Sequence, residues 1–142
     1  MNKKILYTQN DGSVAVVSIA PGVSIDVVVQ TLPTTQYIIV DEAQMPSADD
    51  QKYFIAALKI DGSNVAVDLN RAREVTKQTL RRVRQPLFDK NDLALRDAMI
   101  SGDQTAVQVC VSERDRLRNL PNLADQSQSV SELKQLIEDN HA

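Results

Sequence analysis

The stretch from Asp68 to Ile100 constrains the fold of this chain most, because its pattern predicts one long, strongly basic helix. Apolar and small residues recur there at i, i+3, i+4 and i+7, which is the spacing of a helix with one buried stripe. The stripe begins with Ala72, Val75, Thr76, Thr79, Val83 and Leu87. We expect the shorter helices that follow to fold back on this stripe.

Pro86 interrupts the predicted helix near its middle. A proline removes a backbone donor and its ring clashes with the preceding turn, so we expect a kink or a break near Gln85. The apolar pattern resumes at Leu87 and continues to Met99. Ser101-Gly102-Asp103 then predicts the end of this helix and the cap of the next.

Two shorter helices are predicted after the long one. The first covers Gln104 to Asn119, with a stripe that includes Cys110 and Leu117, and Pro121 ends it. The polar residues 125–128 are expected to be mobile. Ser129 and Glu132 form a capping-box pattern, which predicts a last amphipathic helix to about Asn140.

The residues before the long helix favour short strands. Lys4 to Tyr7 and Val14 to Ile19 flank an Asn-Asp-Gly turn and predict a hairpin, and Gln36 to Val40 predicts a third strand. Tyr53 to Ile60 and Val65 to Asp68 flank an Asp-Gly turn and predict a second hairpin. The opening residues of its first arm also fit a helical turn.

The residues between the first hairpin and the second are harder to assign. Ser24 is a plausible N-cap for a short helix to about Leu32. The β-branched residues there also suit a strand, but we favour the helix. Asp41 to Asp50, punctuated by Pro46, is expected to be an acidic turn.

Together these patterns predict an α+β fold, with a small β-sheet and hairpins followed by a long kinked basic helix and two shorter helices. We place a β-rich part at residues 1–68 and a helical part at 69–142, either as two parts or as one continuous domain. The 142-residue chain has no Trp and only 4% aromatic residues, so its core must come from Val, Ile, Leu and Ala. Such a core is thin, and part of the fold is expected to need a partner.

No arrangement of residues predicts catalysis, a cofactor or a metal site. His141 is the only histidine and lies next to the C-terminal residue, while Cys110 falls on an apolar stripe and is read as a small buried side chain. Oxygen ligands for a divalent cation could come from Asp41, Glu42, Asp49 and Asp50. That segment lacks the spaced ligands of a calcium loop, so we interpret it as a solvated turn and the chain as a protein without enzymatic activity.

A basic ridge is the one feature that suggests a binding surface. It consists of Arg73, Lys77, Arg81 and Arg84, which recur at three- and four-residue intervals beside the apolar stripe. We predict that it docks on acidic protein surfaces, within the chain or on another subunit. Contact with a phosphate backbone is the alternative. The net charge of −3 disfavours it, because dedicated nucleic-acid binders usually carry a basic excess.

No stretch approaches the roughly 18 apolar residues of a membrane span, and the N-terminus lacks the pattern of a signal peptide. We therefore expect a cytosolic protein that does not enter membranes.

Several short motifs resemble those of a known protein family. They are ALKIDG at 57–62, VDL at 67–69 with ARE at 72–74, LRRVRQPL at 80–87 and ERDRLRNLP at 113–121. In these motifs the chain resembles small proteins encoded among the tail genes of tailed bacteriophages, including the C-terminal helical segment of tail-fibre assembly proteins and tail assembly chaperones. The N-terminal hairpin, residues 36–41 and the turn at Pro46 are similar to the front half of such proteins. The chain departs from the chaperones at 88–92, where FDKND replaces their Thr-Asp-Trp string.

The resemblance implies a bacteriophage virion protein of the tail or tail-fibre region that acts by docking to other proteins. The alternative is a soluble tail-fibre assembly chaperone that the finished particle does not retain. The implied partners are other phage structural proteins, such as tail or fibre subunits. Pairing between copies of the chain is also possible on other grounds, because the basic span 71–84 and the acidic span 41–50 carry opposite charges. The implied location is the host cytoplasm during assembly and then the virion.

Overall fold

A computed structural model describes residues 2–140 of the chain, and His141 lies outside this range. The fold is α+β, with 61% helix and 17% strand, so the predicted fold class is confirmed. Small antiparallel sheets lie near the N-terminus, followed by a long helix and shorter ones. The chain divides into two compact units, Met1–Ala72 and Arg73–Ala142, and the division falls inside the long helix.

The first unit contains a three-stranded antiparallel sheet. Its strands are β1 (Lys3–Thr8), β2 (Val14–Ser18) and β3 (Ile38–Asp41), in the order β2-β1-β3. The hairpin between β1 and β2 closes at the predicted turn, where Gly12 has a φ of 86° that side chains with a Cβ rarely adopt. The first predicted hairpin is therefore confirmed.

Helices α1 (Ile25–Gln30) and α2 (Ala48–Phe54) flank β3 in the sequence. The Ser24 hydroxyl caps α1, so the helical interpretation of this segment is confirmed over the strand. For residues 48–50 the prediction of a turn was wrong. Ser47 caps α2, and Asp49 and Asp50 occupy its first turn, where carboxylates interact favourably with the positive end of the helix.

The second hairpin joins β4 (Leu58–Asp61) to β5 (Asn64–Val67) across Gly62-Ser63. Its first arm is shorter than predicted, because residues 53 and 54 belong to α2 and a 3₁₀ turn covers Ile55–Ala57. The alternative of a helical turn is therefore confirmed. Phe54, at the end of α2, is fully buried.

A single apolar cluster forms the main core of this unit. It contains Leu6, Val14, Val40, Met45, Leu58 and Val65. Arg71 binds at its edge, since its Nη1 donates to the carbonyl oxygens of Gly12 at 2.8 Å and Leu58 at 3.0 Å. One guanidinium thus ties the β1–β2 turn to β4.

The second unit is helical. It contains most of α3 (Leu69–Ser101), α4 (Gln104–Asn119), α5 (Leu123–Gln126) and α6 (Val130–Asp139). Helix α3 continues through the exposed Pro86, so the alternative of a break near Gln85 was wrong. A proline on the solvent side removes one backbone hydrogen bond without placing its ring in the core.

Leucines dominate the core of the helical unit. Leu80, Leu117 and Leu120 are buried together, with Leu87, Phe88 and Leu136 packed against them. The predicted stripe omitted Leu80, which is fully buried. Further along α3, the buried Asn91 donates from Nδ2 to the Cys110 carbonyl oxygen at 2.9 Å, and Cys110 is buried as predicted.

The segment between α4 and α6 differs from the prediction of mobile residues, which was wrong. Residues 123–126 form α5, and Ser127 is buried with its carbonyl oxygen hydrogen-bonded to Arg73. The cap of α6 is confirmed, because the Ser129 hydroxyl accepts from the Glu132 backbone and the Glu132 carboxylate accepts from the Gln128 backbone.

Replacing Pro86 with Ala tests the cost of this proline in a continuous helix. Alanine restores the missing backbone donor, so we expect the free energy of unfolding to rise by up to about 3 kcal/mol. Denaturation in urea measures the change. Gln85→Ala, at the neighbouring exposed position, is the control and should shift stability by only about 0.3 kcal/mol. Equal stability of Pro86→Ala and the parent protein would contradict this expectation.

Candidate docking face of the long helix

Arg73 is the first of the four residues of the predicted basic ridge, and its side chain binds inside the helical unit. Its Nε and Nη2 atoms donate to the Ser127 carbonyl oxygen at 3.2 Å and 2.8 Å. Because Ser127 is only 8% exposed, its carbonyl oxygen has little access to water. The guanidinium therefore satisfies a buried acceptor and holds the connection between α5 and α6 against α3.

Lys77 makes two ion pairs. Its Nζ lies 2.7 Å from Asp125 Oδ1 on α5 and 3.2 Å from Glu74 Oε1 one turn earlier on α3. The hydrogen bonds to Asp125 and then Glu74 raise the pKa of the Lys77 ammonium above its ordinary value of 10.5. Lys77 is therefore engaged by acidic groups of its own unit.

Arg84 acts at the end of α4. Its Nη1 donates to the carbonyl oxygens of Leu117 and Arg118, each at 3.1 Å. The last four carbonyls of a helix lack the usual donor four residues later and carry the negative end of the helix dipole, so a guanidinium is favourable there. The Leu117 carbonyl oxygen also accepts from the Leu120 backbone at the end of α4. The guanidinium carbon also lies 5.5 Å from the centre of the Phe88 ring, within the range of a cation–π contact.

Arg81 is the one member of the ridge that points away from these contacts. It is exposed, and so is Arg82, which was not part of the predicted basic ridge. Within residues 2–140, neither guanidinium has a side-chain hydrogen bond or an ion pair. Between residues 71 and 84 of α3, the cations that remain available to another molecule are therefore Arg81 and Arg82.

The position of Leu80 explains this division. Arg73, Lys77 and Arg84 stand at −7, −3 and +4 from Leu80, offsets that lie on one face of a helix. Arg81 and Arg82 stand at +1 and +2, which are turned away from that face. Placing Leu80 in the buried stripe would have predicted from the sequence which cations bind inward.

The other candidate groups do not assemble into a site. In the part of the chain that the structure describes, no three His, Cys, Asp or Glu residues are placed to hold a metal ion. A surface depression of about 710 Å³ follows α1 and is lined by residues 29, 30, 32–35 and 37, which include no carboxylate, imidazole or thiol. Across residues 2–140, no helix is both long and apolar enough for a membrane span.

No protein-family model matches the chain, and neither a curated protein nor a solved structure matches it.

Removing the charge of Arg73 should destabilise the helical unit. In Arg73→Met the aliphatic stem remains while the Ser127 carbonyl loses its donor, and an unsatisfied buried polar group costs about 1–3 kcal/mol. Urea denaturation measures the difference. The matched control, Arg81→Met, removes the same charge from an exposed side chain and should change stability by less than about 0.5 kcal/mol. Equal losses in the two variants would contradict the inward role of Arg73.

The ion pair of Lys77 predicts a measurable titration. In an NMR titration of the lysine side chains, the pKa of Lys77 should lie above 10.5 and return towards it in Asp125→Asn. A raised pKa in the folded protein means that the pair stabilises the fold fully below pH 10.5 and that this contribution disappears as the pH rises through the raised pKa. A Lys77 pKa that Asp125→Asn leaves unchanged would show that this contact is not formed in solution.

Proposed function

We propose that this chain is a non-enzymatic bacteriophage protein of the tail or tail-fibre region and that it acts by docking to another protein through the exposed side of α3. One observation carries the docking part of this proposal. Two consecutive arginines, Arg81 and Arg82, are exposed and, within residues 2–140, unpaired on a helix whose neighbouring cations are held by its own unit. The assignment to a phage tail rests on the resemblance of the sequence motifs.

A guanidinium pair of this kind suits an acidic protein partner. Arginine presents a planar set of donors that matches a carboxylate with two parallel hydrogen bonds. Arg73 and Arg84 fasten the helix on either side of Arg81 and Arg82, so this part of the backbone is already ordered. A partner then meets a preformed surface, which lowers the entropic cost of association.

The same observation disfavours nucleic acid as the partner. Proteins that bind a phosphate backbone tightly neutralise several phosphates, commonly about 6–10. The segment from Arg71 to Arg84 contains six cations, but Arg71, Arg73, Lys77 and Arg84 are engaged by acceptors of the chain itself. The two that remain are too few for such a contact, and the net charge of −3 repels a polyanion.

The docking surface fits a permanent subunit and also a soluble tail-fibre assembly chaperone. Mass spectrometry of purified particles from infected cells separates the two. A virion protein appears in fixed stoichiometry with the tail proteins, whereas a chaperone is found in the infected-cell lysate and is missing from the particle.

Charge reversal tests the docking surface. In Arg81→Glu/Arg82→Glu we expect the fold to persist, because exposed charges contribute only about 0–1 kcal/mol per pair, and we expect binding to tail proteins to be lost. Pull-down with the tail proteins measures binding, and circular dichroism checks the helix content. Arg84 is left unchanged, because its reversal would place a carboxylate against the carbonyls at the end of α4.

The matched control is Lys59→Glu/Arg114→Glu, which changes the net charge equally at two other exposed positions. It should bind tail proteins like the parent chain. Equal loss of binding in both double variants would show that net charge, and not this surface, governs association. Tight, salt-sensitive DNA binding that only Arg81→Glu/Arg82→Glu abolishes would replace docking with a nucleic-acid function.

A further inference from the structure

A second surface on α3 lies C-terminal to Arg82 and presents apolar side chains to solvent. Leu93 is 54% exposed and Ile100 is 79% exposed. The two residues are seven positions apart, so they lie above one another on the same side of the helix. The buried residues of this part of α3, Asn91 and Ala98, lie on a different side. Leu93 and Ile100 therefore form an apolar line that the helical unit does not cover.

Charged residues flank this apolar line in a reversed order. Asp89 and Lys90 precede Leu93, and Arg96 and Asp97 follow it. Arg96 lies seven positions after Asp89, and Asp97 lies seven positions after Lys90. Asp89 and Arg96 lie on one flank of the line, while Lys90 and Asp97 lie on the other. Each flank thus carries one charge of each sign, separated by two helical turns.

We propose that this surface binds a second copy of the same chain, with the two α3 helices antiparallel and a two-fold axis near Leu93. This arrangement places Leu93 against its counterpart and Ile100 against Pro86 of the other copy. It also places Lys90 beside the other copy's Asp97, and Asp89 beside the other copy's Arg96. The Leu93 contact lies on the two-fold axis and occurs once, whereas the axis repeats each of the other contacts, so each of those occurs twice.

The state of these side chains supports a second copy as the occupant. Within residues 2–140, Lys90, Arg96 and Asp97 have no side-chain hydrogen bond or ion pair, and Asp89 accepts only a long one of 3.4 Å from Gln85. Residues seven positions apart on a helix are about 10 Å from each other along its axis, so Lys90 and Asp97 of one chain do not meet. Antiparallel packing also places the two helix dipoles in opposite directions, which is the favourable arrangement for neighbouring helices. This inference does not depend on the phage assignment.

Sedimentation of the full-length chain over a range of concentrations tests the proposal. We expect a reversible dimer that dissociates on dilution and weakens as salt is added. Leu93→Gln should weaken the dimer by roughly tenfold or more, since it removes the side chain at the centre of the contact. Val109→Gln is the matched control, because Val109 is also exposed, at 64%, but lies on α4 outside this surface. A monomer at all concentrations, or equal weakening by both variants, would overturn the proposal.

A charge exchange tests the antiparallel orientation. Lys90→Glu and Asp97→Lys should each weaken the dimer, because each places like charges together across the contact. The double variant Lys90→Glu/Asp97→Lys should restore the dimer to within roughly threefold of the parent, because the pair is re-formed with its signs exchanged. A parallel pairing would place Asp97 beside Arg96 of the other copy, where the double variant creates repulsion. Failure of the double variant to restore association would therefore overturn the antiparallel arrangement.

Discussion

The packing of Leu80 is the constraint on which the helical unit depends. This side chain is fully buried with Leu117 and Leu120. The cations one or two turns away on the same face of α3 therefore lie beside the core. Their aliphatic stems cross apolar surface, and their charged ends reach acceptors beyond it. Arg84 reaches the last carbonyls of α4, and Arg73 reaches the Ser127 carbonyl. The basic flank of α3 is therefore largely a means of attaching α4, α5 and α6.

Composition explains why charged side chains carry this structural role. A chain without Trp and with few aromatic residues buries little apolar surface per side chain. A hydrogen bond from a charged donor to a carbonyl contributes about 1.5–3 kcal/mol. In such a chain these hydrogen bonds form a larger share of the free energy of unfolding. The β-rich unit shows the same device. Arg71 donates to the carbonyls of Gly12 and Leu58 and joins a turn to a strand that lies far from it in sequence. Guanidinium groups thus extend a small core in both units.

The long helix separates two functions by face. Its inner face holds the helical unit together, and its outer face presents Arg81 and Arg82. About three turns later the outer face presents the apolar line of Leu93 and Ile100 with its flanking charges. Exposed residues of this kind contribute little to stability, so they are free to serve association. This separation means that a loss of binding is informative only when the stability of the variant is measured beside it.

The sequence by itself determined the features that depend on neighbours within a few residues. The α+β class, α3 and α4, both hairpin turns and the caps at Ser24 and Ser129 follow from periodicity, glycine positions and side-chain hydrogen bonds to nearby backbone groups. Tertiary structure alone decided which acceptors the inward basic side chains bind. Arg73 meets an acceptor 54 residues away, and the same contact orders a polar segment that was expected to be mobile. No local pattern encodes such a pairing, because it depends on how the apolar face around Leu80 brings distant segments together.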